Sequence, residues 1–125
     1  MTKYLITFPS GAMDHIPDEE MPDVSKDAHA CSQELIDAGV YVMAGGLADE
    51  PVSLVATDGT VTLGPRPDIL SGITIVNVPS REEALKWAAK IAAACRCTQE
   101  VREVEFDPEL EAMLREAARR RPANE

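Results

Sequence analysis

The chain has 125 residues, a length that suits one domain with a single core. A hydrophobic content of 45% argues against disorder, and 22 acidic residues against 12 basic ones leave a net charge of −10. That balance disfavours nonspecific binding to nucleic acid or to an anionic membrane, so neither is expected as a partner.

In chain order, Lys3–Phe8 reads as a first strand, with Tyr4, Ile6 and Phe8 on one side and Leu5 with Thr7 on the other. Pro9-Ser10-Gly11 closes it, and so short an apolar run predicts no secretory leader. Gly11–Val24 is irregular and acidic, with Asp14, Asp18, Glu19, Glu20 and Asp23. Pro17 and Pro22 argue against one uninterrupted helix there, and Pro17 suits the opening of a short turn. The first main helix is predicted over Ser25–Ala38, with Ala28, Cys31, Leu35 and Ile36 as its apolar stripe and Gly39 as its stop. Val40–Leu47 follows as a second strand, again apolar on both sides.

Ser53–Thr57 and Thr60–Leu63 are joined by Asp58-Gly59, a strong hairpin signal. Gly64-Pro65-Arg66-Pro67 makes a rigid loop into the run Ile69–Val78. Both alternating sets of that run are largely apolar: Ile69, Ile73 and Ile75, then Leu70, Val76 and Val78. A strand apolar on both sides belongs in the middle of a covered sheet. Ser80 and Glu83 have capping-box spacing, and Ala84, Ala88, Ile91 and Cys95 then recur at helical intervals. Alanines on that face permit close packing of helix on sheet. Gln99–Phe106 is the most charged strand, which suits an edge. Asp107 and Pro108 open a third helix as N-cap and first helical residue. Leu110, Met113, Leu114, Ala117 and Ala118 share one face, which needs a partner in this domain or in another subunit. Arg119-Arg120-Arg121 ends that helix, where cations complement the helix dipole.

The order is βαβ, hairpin, βαβ and a last helix. Right-handed crossovers place both main helices on one sheet face. The expected class is therefore α+β: a ferredoxin-like sandwich with an inserted β-hairpin and an extra C-terminal helix. Residues 1–106 form the domain, and residues 107–125 are a helical extension of it. The helices leave one face of three apolar strands bare, and an identical sheet from a second subunit is the economical cover. A homodimer is expected.

KYLITF, ELIDAGVYVMAGGL, VATDGTVTLGPR, LSGITIVNV and SREEALKWAAKIA leading to VREVEF together resemble the YCII-related family, also called the DGPF-domain family. The resemblance spans roughly Lys3 to Phe106. Gly64-Pro65 stands where the family has its motif, flanked here by Leu63 and Arg66 in place of Asp and Phe. It implies pairing as a dimeric α/β barrel. Some relatives look like lyases or dehalogenases with a His–Asp pair in a cleft. Their histidine falls at Ala28 of this chain, about 100° round the helix from His29.

His29 is the leading acid–base candidate, since its unperturbed pKa lies near neutrality, with Asp49 or Asp68 to orient it. Arg66, in its proline-braced loop, is placed to hold an anionic substrate, or to pair with Asp68. Ser71 and Tyr41 complete the expected substrate contacts. Cys31, Cys95 and Cys97 lack the spacing of a zinc site, so no metal is expected, and no cofactor. Their odd number and spacing fit a reducing cytoplasm. The expected function is binding or transforming a small organic anion in a cleft, by cofactor-independent lyase, isomerase or dehalogenase-like chemistry if it is an enzyme. The alternative is a non-catalytic ligand-binding or regulatory dimerisation module.

Overall fold

The computed structural model describes residues 1–48, 51–64 and 70–121. β1 (Thr2–Pro9) is followed by a 3-10 turn (Asp18–Glu20), α1 (Met21–Asp37) and β2 (Tyr41–Gly46). β3 (Val52–Val55) and β4 (Val61–Gly64) come next, then β5 (Leu70–Val78), α2 (Arg81–Cys95), β6 (Glu100–Glu103) and α3 (Pro108–Arg120). Four strands form one antiparallel sheet in the order β2-β5-β1-β6, and β3 and β4 pair by themselves. This is the ferredoxin-like α+β arrangement, with the hairpin inserted before β5 and the extra helix after β6.

The core lies between the helices and one sheet face. Tyr4, Ile6, Val76 and Val78 meet Cys31 and Leu35 of α1 and Ala84, Ala88 and Ile91 of α2. Ala84 is fully buried, as a close helix–sheet approach requires. Ser80 caps α2 by accepting from the Glu83 N–H at 3.2 Å. The expected box is only half formed, because the Glu83 carboxylate turns to Lys86 instead.

α1 begins four residues before the predicted Ser25, because Pro22 falls in its first turn, where a missing N–H costs nothing. Val24 joins its buried stripe, whereas Ile36 is 51% exposed and does not belong to it. Gly39, at φ 75°, ends the helix: its N–H donates to the Ile36 carbonyl and the Val40 N–H to the Leu35 carbonyl. That pair of bonds is a Schellman stop. The hairpin also differs in detail. Ala56 and Thr60 close a three-residue loop, with Gly59 at φ 90° and the Asp58 carboxylate accepting from the Thr60 N–H.

β2 is a sheet edge, where a ferredoxin-like order puts the second strand, and despite apolar residues on both sides it leaves Tyr41, Val42 and Met43 exposed. The outer sheet face carries Leu5, Ile73, Ile75 and Met43, none of them fully buried. α3 is capped as expected, Asp107 accepting from the Leu110 N–H at 3.0 Å. It packs substantially on no other described element.

Thr7 is fully buried on β1, and its Oγ1 has no hydrogen-bond partner. A buried hydroxyl left unpaired costs about 1–3 kcal/mol. Thr7→Val keeps the shape and removes that group. It is expected to raise unfolding stability by about 1 kcal/mol in a urea titration. A loss of similar size would show that the hydroxyl is satisfied in solution.

Candidate functional site

Side chains fill the helix–sheet interface at one end and run out at the other. Ala44 and Gly46 of β2, Gly72 of β5, and Ala28 and Ala94 of the helices bring little or no side chain to the same region. The space left is a cavity of about 380 Å³. Ligand pockets run from about 300 to 1,000 Å³, so it suits a small molecule.

Two irregularities shape its walls. The pairing of β2 with β5 slips between Tyr41 and Met43, so that Tyr41 sits opposite Val76 and Ala44 opposite Thr74. Strict alternation would send Tyr41 and Ala44 to opposite faces. The extra residue, Val42, returns Tyr41 to the helix side, where it lines the cavity. The second irregularity is Phe8 lying across Gly72, its cross-strand partner. A Cβ on Gly72 would stand 2.2 Å from Phe8 Cε1 and 2.3 Å from Cζ. Only glycine leaves room for the ring this close to β5, and the ring then forms part of the wall.

His29 and Ser32 reach the cavity from α1, three residues apart and so neighbours on its surface. His29 is exposed and Ser32 half-buried. His29, Ser32 and Tyr41 thus converge on one space: an imidazole, a hydroxyl and a phenol against walls that are otherwise mostly apolar or bare backbone. Such a set can accept, donate and shuttle a proton at one polar edge of a bound molecule.

Of the other sequence-based candidates, Ser71 does not line the cavity, and its carbonyl is taken by the Leu47 N–H at 2.7 Å. Arg66, Asp68 and Asp49 lie outside the described residues. Among the described residues no carboxylate and no Lys or Arg lines the cavity. His15 sits instead in a second, more open hollow with Arg96 and Thr98. Ser32, Phe8 and Gly72 were not singled out as site residues from sequence. The available signal was glycine and alanine at positions facing the helices.

Cys31 and Cys95 also border the cavity, one from each helix. Burial pushes the Cys31 thiol above its ordinary value, and the Glu34 carboxylate adds to this. Burial raises Cys95 as well, helped by neighbouring Cys97 and Cys31. Both are neutral thiols near pH 7, not poised nucleophiles. Among the described residues no three His, Cys, Asp or Glu side chains converge as metal ligands would.

Two consequences are measurable. With folded pKa values above the ordinary 9.0, these thiols stabilise the fold fully below that pH, and the contribution is lost as pH rises through the raised values. Unfolding free energy is expected to fall above about pH 9, and less steeply in Cys31→Ala/Cys95→Ala. At pH 8 a disulfide reagent should modify Cys31 and Cys95 far more slowly in the native protein than in urea. Equal rates would contradict their burial.

No protein-family model matches the chain, and no curated protein matches it. Among solved structures it is similar to 5-chloro-2-hydroxyhydroquinone dehydrochlorinase (TftG) from Burkholderia phenoliruptrix AC1100, in complex with 2,5-dihydroxybenzoquinone. The TM-score is 0.47 at 12% sequence identity, over 86% of this chain and 97% of that one.

Proposed function

We propose that the protein is a homodimer of the YCII-related type that binds, and transforms without a cofactor, a small organic molecule in the cavity between α1, α2 and β2. The observation that carries this reading is the convergence of His29, Ser32 and Tyr41 on one cavity of about 380 Å³. His29 transfers the proton. Tyr41 donates to the developing charge on the same molecule, and Ser32 fixes its polar edge. Phe8 and the bare strand ends hold its apolar part.

Arg66 and Asp68 keep the roles that their chemistry gives them in the sequence. Arg66 holds a carboxylate or phenolate, and Asp68 orients His29. With no cation in the described lining, selectivity for anions rests on Arg66 in this reading. Homodimerisation is supported by the outer sheet face, where Leu5, Ile73 and Ile75 are only half-buried and Met43 is exposed. A cytoplasmic location fits three free cysteines, and no helix among the described residues is long and apolar enough to cross a membrane. The alternative, a non-catalytic ligand-binding module, uses the same cavity without proton transfer by His29.

A thermal-shift screen against small carboxylic acids and phenols tests the site. At a ligand concentration one hundred times Kd, about 2.7 kcal/mol of stabilisation is expected, a rise of several degrees. Gly72→Val displaces the Phe8 ring from its place in the wall and is expected to abolish the shift; Tyr41→Phe and Arg66→Ala are expected to reduce it. An unresponsive wild type, or a Gly72→Val variant that responds like it, sinks the assignment. Turnover lost in His29→Ala, with binding retained, separates the enzyme from the binding module.

A further inference from the structure

The last helix presents a face that its own chain leaves bare. Leu110, Met113 and Leu114 of α3 are 49%, 66% and 56% exposed. The helix is nonetheless well formed over 13 residues, with an aspartate cap and Pro108 in its first turn. A helix of that length is marginal in water without packing.

Charge indicates what covers it. Residues 107–121 carry four carboxylates, at Asp107, Glu109, Glu111 and Glu116, and four arginines, at Arg115, Arg119, Arg120 and Arg121. The arm is thus neutral on a chain of net charge −10, with its acids toward the start and its arginines toward the end. Arg119 is paired with Glu116 of the same helix. Arg120 and Arg121 have no acidic partner among the described residues. The densest acidic patch is Asp18, Glu19, Glu20 and Asp23, all exposed and without a basic partner among the described residues. Met21 lies amid it, 39% exposed. An apolar residue ringed by carboxylates complements an apolar stripe that ends in arginines.

The fold sets the two features at opposite ends of a strand. α3 departs from the edge where the Val104 N–H donates to the Lys3 carbonyl, at the start of β1. The acidic segment follows the other end of β1, at Pro9, about 20 Å from Lys3 along the strand. We propose that α3 crosses to a second copy of this chain, with Arg120 and Arg121 against that copy's acidic turn and the Leu110, Met113 and Leu114 face laid on its surface. The twofold repeats the contact, so two arms clasp one dimer. This rests on the homodimeric reading above and adds the element that fastens it.

Charge reversal in the full chain, read by sedimentation velocity over a dilution series at low salt, tests the arm. Wild type is expected to be a dimer. Arg120→Glu/Arg121→Glu and Asp18→Arg/Glu19→Arg, each alone, are expected to raise the dissociation constant about tenfold, with unchanged circular dichroism. Mixed one to one, the two variants place opposite charges at both contacts and are expected to regain most of the affinity. Recovery on mixing arises only if the contact is between chains. A wild-type monomer sinks the homodimer and the arm together. A dimer indifferent to both variants leaves the homodimer standing and overturns the arm. Weakened variants that fail to recover on mixing overturn it too.

Discussion

The molecule depends on how two helices rest on the strand pair β1 and β5. At one end the interface is filled by Ile6, Leu35, Val76 and Val78, all at most 1% exposed. Ala84 and Ala88 let α2 come close enough to seal it. Burying a large aliphatic side chain is worth about 1.5–3 kcal/mol, so this small set supplies much of the folding drive. Toward Gly46 and Gly72 the same layers continue with little side chain between them. Packing at one end holds the layers apart at the other. The cavity is therefore a product of the core and not a separate invention.

The second consequence concerns the surface. An α+β sandwich with helices on one face leaves the other face to be covered or wetted. Here Leu5, Ile73, Ile75 and Met43 lie on that side, and Val55, Val61 and Leu63 of the hairpin are exposed as well. Scattered exposed apolar residues are ordinary, but a sheet face, a hairpin and a helix bare together are not.

Periodicity, caps and turn signals located the six strands and three α-helices of the described residues, because each follows from backbone geometry acting on local side chains. They predicted the α2 face, Ala84, Ala88 and Ile91, and the Gly39 stop. They did not show that Tyr41, Val42 and Met43 of β2 would be exposed, because an apolar strand at an edge looks the same in sequence as one in the middle. What separates them is the pairing partner, a property of the whole sheet. The site was readable only in part. His29 and Tyr41 stand out as chemistry-bearing residues, but their meeting depends on one slipped register at Val42. Nothing local to Val42 announces a bulge. The wall residue Gly72 was equally silent, since its importance lies in Phe8, 64 positions away in the chain and opposite it in the sheet.

α2 ends on Arg96 in the left-handed conformation, φ 58°, which glycine normally supplies. Its guanidinium reaches the Ala94 carbonyl and, at 2.9 Å, the Asp27 carboxylate on α1. Further along, Lys90 meets Glu34 at 2.9 Å. Exposed pairs of this kind add little stability. What they do is set the phase of one helix against the other, like two rungs of a ladder. The two helical walls of the cavity are thus tied to each other by side chains, whereas β2 is joined to the sheet along one margin, through β5 alone.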